Sequence, residues 1–300
     1  MKTERGALFS VFVVVLIGLA IAVAGSQGGT AFRGVPVFAL SVGLAFLIQW
    51  LAFIPAFLLQ TESFFDLTGS LTYILVTTVA VVLSPPLDAR ATLLLVLVVI
   101  WAVRLGTFLF RRVRRAGKDD RFDELKPSFP RFLNTWTIQG LWVSLTLAAA
   151  LAATTSGERV SAATTSAAPF APDAFVIAGA VVWVVGFVIE AIADSEKRRF
   201  RADPANKGQF IRTGLWSWSR HPNYFGEIAL WTGIAILAFP VLHGWQLVTL
   251  ISPVFVFLLI TRVSGIPLLE KKADERWGGQ EEYEAYKAQT SVLVLRPPRP

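Results

Sequence analysis

Residues 214–231 read GLWSWSRHPNYFGEIALW, so Arg220, His221, Asn223, Tyr224 and Glu227 crowd the mouth of an otherwise apolar segment. Polar groups carried unpaired into hydrocarbon cost several kcal/mol each, roughly, so a membrane segment keeps such a cluster where something is bound. The surroundings are those of a membrane protein. The 300 residues are 54% hydrophobic and 16% charged with a mean hydropathy of +0.57, whereas soluble domains carry about 25% charged residues. The chain has no Cys, which excludes disulfides, thiolate zinc sites and cysteine nucleophiles, and with two His an all-histidine metal site is not expected either. The net charge of +7 gathers in loops between apolar segments. That pattern sets membrane orientation rather than marking a nucleic-acid partner, and no obligate protein partner is implied.

A helix crosses the hydrocarbon core in about 20 residues. Eight segments qualify: 7–24, 35–59, 71–83, 91–110, 135–153, 174–193, 224–239 and 246–260. The third is short and ends at Ser84-Pro85-Pro86, where Pro halts a helix and turns the chain into a tight hairpin with the fourth. Residues 111–131 carry eight Arg and Lys against four acids, and residues 194–220 seven against three. Both loops therefore belong on the cytoplasmic side. Two spans separate them and two more lead to the tail, which puts the N-terminus and the C-terminus on that side and the Ser/Thr/Ala-rich stretch 154–172 on the other. Lys2, Arg5 and the Ala22-Val23-Ala24 run also resemble a cleavable signal peptide, whose removal would leave seven spans with the same topology. The expected fold is all-α: a polytopic integral membrane helix bundle of seven to eight transmembrane helices. It forms a single membrane domain over 1–300, with no internal repeat.

The polar residues fall into groups. Glu190, Asp194 and Lys197 are spaced i, i+4, i+7 on the sixth segment and share a face, flanked by Arg198 and Arg201. They form either a ligand-binding face or a salt-bridged helix end. Pro222 suits the first turn of a helix, and Arg220-His221 before it place cations at a helix N-terminus, an anion site in outline. Asn223 with Glu227, and Tyr224 with Glu227, share one face at i, i+4 and i, i+3, so an amide, a phenol and a carboxylate meet there. A carboxylate beside an anion site suits a ligand that also offers donors, such as a carboxamide or ribose hydroxyls. Lys118 and Arg121 lie in the basic loop, and Arg104 lies inside the fourth segment, where an arginine is either functional or held in a buried ion pair. Tyr283 and Tyr286 sit on an acidic amphipathic helix near the end, as ligand contacts or as interface anchors.

R-H-P-N-Y-x-G-E entering an apolar helix, E-x-x-x-D-x-x-K before it, G-K-D-x-R-F-D-E in the preceding loop and E-Y-x-x-Y-K near the end together resemble the steroid 5α-reductase-like superfamily. The match is closest to its bacterial DUF1295 branch, whose relatives include sterol Δ14-reductases and isoprenylcysteine carboxyl methyltransferases. The resemblance covers 61–300 as a catalytic region and leaves 1–60 as extra N-terminal spans. It implies an integral protein of a bacterial inner (cytoplasmic) membrane with a cytoplasm-facing cavity for NADPH. Glu190, Asp194, Asn223, Glu227 and Tyr286, with Tyr224 beside them, would line the nicotinamide and ribose region; Lys118, Arg121, Lys197, Arg220 and His221 would serve the pyrophosphate and 2′-phosphate. Arg104 stands where the reductases keep an arginine in that cavity.

In the steroid reductases a membrane glutamate and a tyrosine polarise the substrate carbonyl, and the corresponding positions here are Asp66 and Trp101. An aspartate can still act as an acid, whereas an indole cannot donate a proton as a phenol does. Tyr73, at i+7 from Asp66, restores a phenol on the same face. The expected activity is therefore reduction of a conjugated C=C bond in a lipidic substrate, such as a sterol, steroid or isoprenoid, with Asp66 and Tyr73 as the catalytic pair. No strand-borne G-x-G-x-x-G turn is present, so a Rossmann domain is not the means of binding. Two alternatives are a methyltransferase using S-adenosylmethionine on a lipid or prenylated acceptor, and a transporter or lipid-binding protein without chemistry. The polar cluster has no second copy in the first half, which argues against the transporter.

Overall fold

The computed structural model describes residues 2–116 and 122–297. Among the described residues eight helices are long and apolar enough to cross a membrane, and the protein is an all-α integral membrane protein. Among the described residues the strands amount to one hairpin, Ala31–Phe32 (β1) with Val35–Pro36 (β2). Its two turn residues, Arg33 and Gly34, have φ of 50° and 83°, the left-handed pair that a two-residue hairpin turn requires.

The chain forms two compact units. The first comprises the chain up to Ile177 together with Ala235–Ser252, and the second Ala178–Ile234 with the chain from Pro253 on. The first holds α1 (Lys2–Ser26), α2 (Val37–Leu58), α3 (Phe65–Val82), α4 (Ala89–Ala116), α5 (Phe129–Thr155) and α6 (Gly157–Thr165). α5 is its axis. The run Ala148–Ala149–Ala150–Leu151–Ala152–Ala153 is fully buried, because alanine lets neighbouring helices approach where lipid supplies no hydrophobic drive between them. Gly140 of α5 and Gly18 of α1 both face the Phe46 ring, and a Cβ on Gly18 would lie 2.7 Å from it.

α3 begins at Phe65, six residues before the expected start at 71. The Thr and Ser residues that dilute its hydropathy do not interrupt it. Thr68, Thr72 and Thr77 donate their hydroxyls to the carbonyls of Phe64, Thr68 and Tyr73 at 2.7–2.8 Å, satisfying themselves within the helix. Stretch 154–172, expected as a loop, contains α6, capped by Ser156, whose side chain accepts from Arg159 N. Outside the spans, Lys126 donates to the buried Glu62 at 2.6 Å, and that bond raises the lysine's pKa. The pair anchors residues 122–128, whose Phe122 joins a cluster with Phe53, Phe132 and Trp136.

The second unit holds most of α7 (Ala174–Ala202) and α8 (Pro222–Ala238), then α9 (Ile251–Leu258), α10 (Ile266–Trp277) and α11 (Glu281–Gln289). The eighth apolar segment, expected at 246–260, is not one regular helix. It enters through a 3₁₀ turn at Gly244–Leu250, runs as α9, loosens into a π turn at Leu259–Val263 and resumes as α10.

Candidate functional site

The geometry starts from glycine. A Cβ on Gly226 would lie 2.5 Å from Gly186 O and 2.7 Å from Glu190 N; one on Gly233 would lie 2.6 Å from both Gly179 O and Trp183 N. α7 and α8 therefore touch backbone to backbone along Gly179, Gly186, Gly226 and Gly233, a small-residue seam of the kind membrane helices use. The seam sets buried Glu190 (4% exposed) against the turn of α8 that follows Asn223 and precedes Glu227. Two groups separated by some 30 residues of sequence, the Glu190 face and the 220–227 cluster, are thus brought together.

One helical stretch further along, the α7 end holds the turn at 214–217. Glu196 Oε2 accepts from Leu215 N at 3.0 Å, and Trp216 donates its indole N–H to Ala193 O at 3.0 Å. Gly214 has φ 61° and faces the Glu196 carboxylate, so a side chain there would be strained twice. The Lys197 ammonium lies 4.2 Å from the centre of the Trp216 ring, a cation–π contact that holds the charge in place.

His221 and Arg220 meet a residue the sequence did not single out. Glu270 on α10 accepts from Arg220 Nη1 through Oε2 at 2.7 Å and pairs with His221 Nε2 through Oε1 at 2.7 Å. The arginine and histidine side chains are 14% and 5% exposed. Burial holds His221 below the ordinary imidazole pKa; Glu270 pulls it up, and Lys197 and Arg220 push it down again. The Tyr224 ring stacks on His221 at 5.7 Å. Among the described residues, Arg220 Nε and His221 Nδ1 are buried and meet no hydrogen-bond partner, and buried polar atoms of that kind call for a ligand or water. Behind them the chain is clamped: Arg220 N donates to Ser291 O at 2.8 Å, and Ser219 Oγ donates to Leu293 O at 2.9 Å.

Tyr286 donates its hydroxyl to Trp216 O at 2.7 Å, and Tyr283 donates to Asp274 Oδ1 at 3.0 Å. Burial raises both phenol pKa values, helped for Tyr283 by the bond to Asp274. Both rings pack on Phe210, so these tyrosines brace the 210–216 segment.

In the first unit, Asp66 stands half-buried in the first turn of α3 and Arg104 half-buried on α4. Tyr73 is buried and meets Trp101 edge to face, centroids 4.9 Å apart at 81°. The phenol that the sequence offered in exchange thus lies directly against the tryptophan. Lys118 and Arg121 lie outside the described residues. No group of three or more His, Asp or Glu able to hold a metal occurs among the described residues.

The missed residue, Glu270, left one trace: it is the first acid after the apolar stretch, in Pro267-Leu-Leu-Glu-Lys. Its partner lies 49 positions away, which no local periodicity reports. Replacing Glu270 by Gln should lower stability by about 1–2 kcal/mol, since two donors lose a common charged acceptor that is only partly buried. Thermal unfolding in detergent reads this out, and a melting point equal to wild type would show that the bridge is not formed.

A stretch of 73 residues is 29% identical to the probable O-methyltransferase ustE of Ustilaginoidea virens, covering 24% of this chain and 26% of that protein, so the chain spans about a quarter of that relative's length. No solved structure matches. Residues 52–290 match the family described as protein of unknown function, DUF1295. With that match running over most of its length, through both the seam and the Arg220–His221 cluster, the chain belongs to the DUF1295 family, a steroid 5α-reductase-like family of membrane proteins.

Proposed function

We propose that the protein is an NADPH-dependent oxidoreductase that reduces a conjugated C=C bond in a lipidic substrate at the cytoplasmic side of a bacterial membrane. The observation that carries this reading is the second-unit constellation: Lys197, Arg220 and His221, with a single bridging carboxylate, beside the buried Glu190. NADPH fits that set, because Lys197 and Arg220 match phosphates while Arg220 Nε, His221 Nδ1 and the neighbouring carboxylates match hydroxyls and a carboxamide. Lys197 and Arg220 would hold phosphate oxygens, with Lys118 and Arg121 assigned the same task. Glu190, Asp194, Asn223, Tyr224 and Glu227 would accept or donate to the ribose and the carboxamide. Tyr286 supports them by fixing Trp216 O.

When bound, the cofactor supplies the hydride that the β-carbon of the C=C bond receives. Asp66, helped by Tyr73, would either polarise the conjugated carbonyl or deliver the proton to the adjacent carbon. Arg104 is assigned to the cofactor side as a fixed cation.

The match to a protein named as an O-methyltransferase favours a second reading, methyl transfer from S-adenosylmethionine to a lipid or prenylated acceptor. Thermal shift of detergent-purified protein with NADPH, NADH and S-adenosylmethionine separates the two, since a ligand bound only by the native state stabilises it by about 2.7 kcal/mol at a hundredfold excess over Kd. The expected result is a rise with NADPH that is lost in Asn223→Ala and Glu227→Ala, both still folded. A rise with S-adenosylmethionine alone overturns the reductase in favour of the transferase.

A further inference from the structure

We propose that His221 meets the ligand of this site with an unprotonated Nδ1, and so accepts a hydrogen bond from a ligand hydroxyl, such as a ribose O–H, instead of binding an anionic phosphate. That the hydroxyl belongs to a nucleotide rests on the cofactor reading above; the state of the ring does not.

A carboxylate can only accept, and Glu270 Oε1 lies 2.7 Å from His221 Nε2, so Nε2 carries the proton. Nδ1 then holds either a lone pair or a second proton. The groups facing the ring are Glu270, with Asp274 behind it, on α10; Lys197 on α7; Arg220 next in the chain; the stacked face of Tyr224 on α8; and Tyr286 on α11, which shares the field of Arg220 and Glu270. Glu270 is the acid in contact, and its Oε2 already answers Arg220 at 2.7 Å. Burial and two nearby cations oppose a second charge on the ring, and the histidine is held below its ordinary pKa. At neutral pH the ring is therefore the Nε2–H tautomer.

Nδ1 points away from Glu270, is buried, and meets no donor among the described residues. An orphaned buried acceptor is costly, and a partner that donates relieves it. An ionised phosphate has nothing to donate, whereas a sugar hydroxyl does. Arg220 Nε–H, also buried and without a partner among the described residues, offers the complementary donor next in sequence. The pair thus offers one acceptor and one donor, the pattern suited to hydroxyls.

The test has two arms. The chain holds only two His, at 221 and 243, so ¹⁵N-histidine labelling gives two ring systems, and a His243→Asn variant assigns them. At pH 7.5 the His221 ring is expected to show a protonated Nε2 and a bare Nδ1. A doubly protonated ring, or a proton on Nδ1, overturns the proposal. In the second arm NADP⁺ binding is measured by calorimetry from pH 8 to pH 5.5 for wild type and His221→Asn, the variant cancelling titration of the ligand's own phosphate. A site that needs the bare Nδ1 loses affinity as the ring protonates. The ratio of wild-type to variant Kd should therefore climb by up to about tenfold per pH unit below the His221 pKa. A ratio that falls on acidification, as a phosphate greeting an imidazolium would give, or one that stays flat through the pH at which the labelled His221 ring gains its second proton, overturns it. Failure of NADP⁺ to bind wild type at any pH overturns the nucleotide reading and with it the ribose assignment, whereas the tautomer is read separately by the first arm.

Discussion

Arg159→Leu should lower the stability of the folded protein by about 3–5 kcal/mol, the cost of removing one partner from a buried charged network, while leaving ligand affinity in the second unit unchanged. Arg159 is 1% exposed, yet it lies in a stretch whose composition reads as a surface loop. Its guanidinium donates to Thr154 O at 2.9 Å, to Pro86 O at 2.8 Å and to Ser84 O, and contacts Asp88 Oδ1 at 3.4 Å. One planar fork thus closes the end of α5 and the turn between α3 and α4. Leucine would fill the volume but leave three carbonyls without this donor in a buried site. Lysine, with a single ammonium, cannot copy the fork, so Arg159→Lys should lose most of the same stability. Thermal unfolding of both variants in bicelles decides this, and a leucine variant within about 0.5 kcal/mol of wild type, the usual range for surface changes, would mean that the carbonyls find other donors.

Arg159 also shows where the sequence is readable and where it is not. The spans were legible because hydrophobic length is a local property: about twenty apolar residues suffice, and no partner need be known. The start of α8 at Pro222 was legible for the same reason, since a residue's missing N–H is local chemistry. What hid were elements whose stability comes from a contact. α6 has low hydropathy and forms where Ser156 caps it and Arg159 anchors it. α3 hid its first turn behind hydroxyls whose satisfaction lies four residues back.

The site divides along the same line. The spacing of Glu190, Asp194 and Lys197, and of Asn223 with Glu227, follows from the 3.6-residue period and could be read off the chain. That the Glu190 face lies against the 223–227 turn depends on two glycines on different helices, each visible and neither naming its partner. Glu270 was invisible because its role is set by Arg220 and His221, 49–50 positions earlier. His221, read as a cation at a helix N-terminus, lies with Nε2 2.7 Å from that glutamate, a contact that its position in the chain does not report.

Glycines on these helices differ in what a methyl group would meet. Alanine is the better helix former by about 1 kcal/mol, and Gly43, with nothing within 4 Å of a Cβ built on it, should accept the change with a small gain in stability. Gly226 should respond with the opposite sign. Its new methyl would sit 2.5 Å from Gly186 O, 2.7 Å from Glu190 N and 2.9 Å from Glu190 Cβ, and two of those atoms are backbone that cannot rotate aside. α7 and α8 must then separate, giving up the dispersion contacts of the whole seam. Overpacking costs typically about 1–3 kcal/mol even where side chains can yield, so a net loss near the top of that range is expected. The functional effect should exceed the loss of stability. Glu190 would move away from Asn223 and Glu227, and a constellation displaced by about 1 Å loses on the order of a hundredfold in what it does. Gly226→Ala should therefore remain folded, melt at a lower temperature and bind NADPH at least tenfold more weakly, while Gly43→Ala binds it as wild type does. If both glycine variants match wild type in melting point and affinity, α7 and α8 do not pack backbone to backbone, and the two halves of the site are not held together by this seam.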